Sequence, residues 1–316
     1  MKNLKIFSGS SNLFLAKKIA DYIGISLGSA EISNFSDGEI KIKFNENIRG
    51  TDVFLVQSTY PPADNLMELL IMLDAAKRAS AKRVTAVIPY YGYARQDRKD
   101  KPRVSITAKL VANLITIAGA DRILTMDLHS SQIQGFFDIP FDHLYASINF
   151  FECIKEMNLE NVVVVSPDLG SVKMSRAYAK RFDAALAILD KRRPKPNSAE
   201  IVNVIGDVEG KNVIIVDDMV DTGGTILKAV KTLKEEGAKG INIFCTHPVL
   251  SGDAVQKLKD SEIKSFMVSD TIPLDDNKKI DKINVISVAN LFGEAILRIY
   301  REESISSLFD WQNIQT

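Results

Sequence analysis

The chain has 316 residues, with 40 basic and 40 acidic side chains, 46% hydrophobic content and a near-neutral pI. That length predicts two domains of roughly 150 residues each, and the balanced charge offers no whole-molecule attraction for nucleic acid or an acidic membrane, so any anion site has to be local. Cys153 and Cys245 lie far apart and outside any Cys-x-x-Cys pair, which argues against a disulfide framework or a zinc site; without a signal-like start or a long apolar run, the expectation is a soluble, cytoplasmic protein.

Taken in chain order, short continuous apolar runs predict buried strands at 4–7, 53–58, 84–90, 122–128, 162–166, 186–189, 213–216, 241–244, 266–269 and 285–288. Helical spacing falls between them at 12–23, 65–80, 106–118, 171–182, 225–236 and 289–301. Continuous apolar strands alternating with helices predict an α/β chain built on mainly parallel sheets flanked by helices. The expected division is a first domain over 1–145, a second over 146–299, and a last segment, 300–316, that joins the first. Two stretches also resemble each other. In those beginning at Asp64 and at Asp221, an aspartate opens a helix, and Ala81-Lys82 or Ala238-Lys239 leads into a strand. Either any two strand–helix–strand units look alike, or the chain holds two copies of one domain. In the second case only one copy keeps an acidic, glycine-containing loop.

That loop is in "NVIIVDDMVDTGGTIL", residues 212–227, where a β-branched strand runs into Asp217 and Asp218, then Asp221, Thr222, Gly223, Gly224 and Thr225 before a helix. In an open parallel sheet, ligands bind at the carboxyl ends of strands. Small residues and free N–H groups at a helix start favour a phosphate. Carboxylates would repel that phosphate, but they accept hydrogen bonds from a sugar diol. A ribose carrying a 5-phosphate answers to both halves. The loop resembles the ribose-phosphate loop of type I phosphoribosyltransferases and their relatives, which include enzymes that consume phosphoribosyl pyrophosphate, the synthetase that makes it, and repressors that sense it.

Further motifs narrow the choice. "YYGYARQDRK" and "DKPRVS" put Arg95, Arg98, Lys99, Lys101 and Arg103 after a strand end, either a solvated surface or a loop that closes over a triphosphate. His129 follows another strand end beside Asp127, and Asp168 lies in "VSPDLGS", a second strand–glycine–helix anion site. "LDKRRPKP" sets Lys191, Arg192 and Arg193 at a strand terminus, suited to a phosphoryl group in transfer or simply to a basic turn. "NFSDGEIKI" reads as a hairpin around Gly38.

Together these motifs resemble the class I ribose-phosphate pyrophosphokinases over nearly the whole chain, from "FSGSSN" (7–12) to "SISSLF" (304–309). The resemblance implies two tandem phosphoribosyltransferase-like domains, a homohexamer, and conversion of MgATP and ribose 5-phosphate to phosphoribosyl pyrophosphate and AMP. It implies ATP binding by Arg95 and Gln96, and by Phe35, Asp37 and Glu39 from a neighbouring subunit. It likewise implies magnesium at His129 and Asp168, catalytic cations at Lys191 and Arg193, and ribose 5-phosphate at Asp217, Asp218 and 221–225. Inhibition by ADP and activation by inorganic phosphate are implied at a site with Arg49, Gln134, Ser304 and Ser306. Three positions depart from the family pattern: Gly223 where alanine is common, Gly170-Ser171 where two glycines are common, and Ser105 where proline is common. A nucleobase phosphoribosyltransferase would not need His129, the basic loop and the 191–193 cations together. A silent regulatory subunit would be expected to lose some of them.

Overall fold

The structure, a computed structural model, describes residues 3–192 and 201–308. The chain divides into two compact units at Ala146/Ser147. Thr271–Pro273 and the described residues from Ser287 onward return to the first unit, while the second holds Ser147–Asp270 and Leu274–Ile286.

In the first unit, β1 (Leu4–Ser8), β4 (Asp52–Val56), β5 (Arg83–Ile88), β6 (Arg122–Met126) and β7 (Phe141–Leu144) form a sheet in the order β1-β4-β5-β6-β7. Every neighbouring pair in it is parallel. The intervening β2 (Ala30–Asn34) and β3 (Ile40–Phe44) form a separate antiparallel hairpin. Helices α1 (Leu13–Ile23), α2 (Asp64–Arg78) and α3 (Thr107–Ala118) bury stripes at helical spacing, as Leu15, Ile19 and Ile23 do in α1. Asn12 caps α1 by accepting from the Leu15 N–H at 3.1 Å, and Gly24 ends it at φ 80°.

The second unit opens with α4 (Ser147–Glu156) and has β8 (Val162–Ser166), α5 (Val172–Arg181), β9 (Ala185–Arg192), β10 (Ile201–Ile205) and β11 (Asn212–Val220). There follow α6 (Gly224–Glu235), β12 (Gly240–Pro248), α7 (Ala254–Asp260), β13 (Ser265–Ser269) and β14 (Ile283–Ile286). The sheet order is β10-β9-β8-β11-β12-β13-β14, with only the β9–β10 pair antiparallel. Without that hairpin, the order β8-β11-β12-β13-β14 repeats β1-β4-β5-β6-β7 of the first unit. The two self-similar stretches fall on α2–β5 and α6–β12, the same place in each.

One boundary differs from the sequence expectation. Helix α8 (Ala289–Arg301) belongs to the first unit, whereas residues up to 299 were expected in the second. Its apolar face, with Phe292, Ile296 and Ile299 buried, packs on α1. A Cβ on Gly293 would meet the Tyr22 ring at 2.4 Å, so glycine permits the close approach. Arg83 of β5 adds a polar tie, donating to Asp52 at 2.8 Å and to the Ile299 carbonyl at 3.0 Å. Among the described residues no helix is long and apolar enough to cross a membrane.

Candidate functional site

The acidic loop lies at the carboxyl end of β11, in the middle of the second sheet. Val213–Val216 are buried, and the next two residues of the same strand carry the carboxylates. Asp217 accepts the Asp218 N–H at 3.0 Å. Burial, then the charge of Asp218 and that of Asp168, push the Asp217 carboxyl well above the usual carboxylate range. The Asp217 carboxyl is thus acted on by two others, Asp218 beside it on β11 and Asp168 from the loop after β8. Ser251, from the turn after β12, donates its hydroxyl to Asp221 and its N–H to the Asp221 carbonyl at 3.1 Å. No sequence signal tied Ser251 to the loop.

Helix α6 begins with no side-chain cap. Gly223 precedes it at φ 72°, ψ −3°, a left-handed conformation that costs glycine nothing and strains a residue with a Cβ. The glycine that departs from the family pattern is thus used for its backbone freedom. The uncapped first turn leaves backbone N–H groups for an anion.

Asp168 sits at the head of α5. Its Oδ1 accepts the Ser171 N–H at 2.9 Å, and its carbonyl accepts the Ser166 hydroxyl at 2.7 Å. Ser171 has φ −86°, a conformation any residue adopts, so serine there places no strain on this loop. Lys191 lies on β9, paired in register with Val202 of β10. Arg193 falls outside the described residues.

The remaining positions cluster in the first unit. Arg95 and Gln96 are exposed beyond β5. Exposed His129 follows β6. The residue before it, Leu128, donates its N–H at 2.8 Å to Nε2 of buried His143. Gln134 approaches Nδ1 of the same ring at 3.4 Å. Phe35, Asp37 and Glu39 form the exposed turn of the β2–β3 hairpin. There Asp37 accepts the Glu39 N–H at 3.1 Å, Gly38 takes φ 96°, and Lys41 stands 5.7 Å from the Phe35 ring centre. Arg49 is exposed on the same unit, with its backbone N–H on Asn47 at 3.0 Å. Ser304 and Ser306, also exposed, share a hydroxyl–hydroxyl hydrogen bond of 3.0 Å after α8. The structure thus brings Asp168, Asp217 and Asp218 together in one unit, while His129 belongs to the other.

No set of three His, Cys, Asp or Glu side chains that could cage a metal occurs among the described residues. The donor set suits magnesium all the same. That ion takes oxygen ligands, needs few from the protein and keeps water and substrate phosphates for the rest. A crowded carboxylate such as Asp217 is relieved by a nearby cation.

Two α/β units with the same parallel strand order, one ending a central strand in paired aspartates before a glycine loop, define a phosphoribosyltransferase-like protein. Residues 4–119 match the N-terminal domain of ribose phosphate pyrophosphokinase, and residues 190–310 match the phosphoribosyl synthetase-associated domain. The ribose-phosphate pyrophosphokinase of Chlorobaculum tepidum is 59% identical over 312 residues, covering 98% of this chain and 96% of that protein. That of Clostridium tetani is 58% identical over 318 residues, covering 98% of each. The crystal structure of phosphoribosylpyrophosphate synthetase from Mycobacterium smegmatis superposes with a TM-score of 0.88 at 41% identity, covering 95% of this chain and 99% of that one. The chain belongs to the ribose-phosphate pyrophosphokinase family.

Proposed function

We propose that the protein transfers the β,γ-diphosphoryl group of MgATP to the 1-hydroxyl of ribose 5-phosphate, giving 5-phosphoribosyl 1-diphosphate and AMP for nucleotide biosynthesis. The observation that carries this reading is the β11–α6 junction, with carboxylates in the last part of the strand's pairing and an uncapped helix start just beyond it. Asp217 and Asp218 receive the ribose hydroxyls, and residues 221–225 wrap the 5-phosphate. Arg95 and Gln96 bind ATP, joined by Phe35, Asp37 and Glu39 of a neighbouring copy in a homohexamer.

Asp168 and His129 are the residues that would hold magnesium, which would supply positive charge to offset that of the phosphates. The attacking sugar oxygen and the departing AMP oxygen lie in line across the β-phosphorus, and negative charge spreads over the phosphoryl oxygens. Lys191 and Arg193 meet that charge. Inorganic phosphate activates and ADP inhibits at a site that includes Arg49, Gln134, Ser304 and Ser306. The reaction belongs in the cytoplasm.

³¹P NMR of the protein with ATP, magnesium and ribose 5-phosphate, with and without added phosphate, tests the reading. AMP together with a sugar-linked diphosphate is expected. ADP as product would mean ordinary phosphoryl transfer. Absence of turnover, from protein that still binds ribose 5-phosphate, would instead make the chain a silent subunit.

A further inference from the structure

The basic loop between β5 and α3 is closed at its base by one residue. Gln96 donates its N–H to the Tyr93 carbonyl at 3.0 Å, and its own carbonyl accepts the Ala108 N–H at 3.1 Å. That second bond satisfies one of the unpaired donors in the first turn of α3, where the apolar Ile106 at the cap position supplies no side-chain hydrogen bond. The Gln96 side chain is fastened to the same place. Its Oε1 accepts the Thr107 hydroxyl, and the Ser105 hydroxyl lies 3.5 Å from that oxygen and 2.7 Å from the Thr107 hydroxyl. One glutamine is therefore pinned by its backbone and its side chain to the start of a helix whose Ala108, Val111, Ala112 and Ile115 are in the core.

We infer that Thr107 is a positioning residue for nucleotide binding, acting through Gln96, and that Ser105 supports it. This rests on the reading of Gln96 as an ATP-binding residue. With Oε1 engaged by Thr107, the amide group that remains is its NH2, a donor. Such a group suits an acceptor on the nucleotide, a ring nitrogen or a phosphate oxygen. Side-chain rotation would otherwise cost entropy on binding, and the hydroxyl pair removes part of that cost beforehand. The inference also accounts for Ser105: a proline there would lack the hydroxyl that faces Thr107.

Steady-state kinetics of Thr107→Val, Thr107→Ser and Gln96→Ala test this, with thermal melts to confirm folding. Thr107→Val is expected to raise KM for ATP about tenfold, the effect of losing one ordering hydrogen bond. The kcat and the KM for ribose 5-phosphate should stay within about twofold, and Thr107→Ser should restore the ATP value. The double variant Gln96→Ala/Thr107→Val should be no worse for ATP than Gln96→Ala alone. An unchanged KM for ATP in Thr107→Val, or a failure of serine to rescue, overturns the inference while leaving Gln96 in the site if Gln96→Ala still weakens ATP. If Gln96→Ala also leaves that KM unchanged, both the inference and the ATP role of Gln96 fall.

Discussion

At the carboxyl end of β4 in the first unit, Glu68 reaches back from α2 and accepts hydrogen bonds from the Ser10 N–H, the Ser10 hydroxyl at 2.7 Å and the Gln57 amide at 2.8 Å. Gln57 in turn accepts the Ser11 N–H at 3.1 Å, and Tyr60 donates to the Ser11 carbonyl at 2.7 Å. The space is full: a Cβ on Gly9 would stand 2.3 Å from the Gln57 amide oxygen and 2.5 Å from a Glu68 oxygen. At the matching end of β11 in the second unit, Asp217 is crowded by Asp218 and Asp168, and the helix start next to it is uncapped. The same strand–loop–helix plan thus has two outcomes. Where a buried carboxylate is satisfied by the protein's own donors, the loop serves stability. Where carboxylates crowd one another, burial and like charge raise the cost of ionising them, and the proposed ligand would relieve it.

The strongest way to break this contrast is to remove chemistry from the second unit. Lys191→Ala should lower kcat by roughly 10²–10³-fold with ribose 5-phosphate binding retained, the size expected for a lost transition-state donor. An unchanged kcat would withdraw the catalytic role from β9. Next in size, Glu68→Ala should cost roughly 2–4 kcal/mol in urea unfolding of the first unit, because it strands the Ser10 and Gln57 donors. Turnover of the folded variant should change little; lost turnover with an unchanged melt would mean that this loop is a site as well.

Asp217→Asn should act in the opposite sense. The variant is expected to lose turnover yet melt roughly 2–4 °C higher without ligand at pH 8, as one relieved like-charge contact allows. Burial first, and Asp218 second, raise the folded-state carboxyl above its unfolded value. The wild type therefore has its full share of stability below the unfolded value and loses it as pH rises through the folded one. The gap between variant and wild type should widen over that interval, and a constant gap would remove the electrostatic explanation. The smallest change is Gly223→Ala. Left-handed backbone at φ 72° should cost alanine roughly 1 kcal/mol, read as about a fivefold rise in KM for ribose 5-phosphate. No rise would mean that the loop takes another conformation when occupied.

Much of this protein can be read in its residues. Continuous runs such as Val213–Val216 placed the buried strands, because a parallel strand covered on both faces has no polar side to interrupt it. The 34–42 hairpin was visible from its glycine turn, and Asp221–Thr225 marked a helix start, whereas the strand expected to end at Val216 runs on through Asp217 and Asp218 to Val220, because it stays paired with β12 as far as Pro248. Local pattern could do this because each signal lies within a few residues of the structure it makes.

Contacts between distant residues could not be read that way. The amphipathic face of α8 says that the helix must pack, not on which unit; Gly293 against Tyr22 and Arg83 on the Ile299 carbonyl decide that. Nothing local in the helical spacing of 65–80 singles out Glu68; the fold brings it to Ser10. Thr107 stood unremarked at a helix start until Gln96 came back across the loop to meet it. Sequence determined most of the elements and the acidic loop, since these follow from periodicity and local backbone chemistry, while β7, β10 and α7 carry no such signal and were not expected. Which polar groups are satisfied, and so which strand ends are closed by the protein's own donors, was settled only by tertiary structure, because a hydrogen bond depends on partners that the chain brings together from far apart.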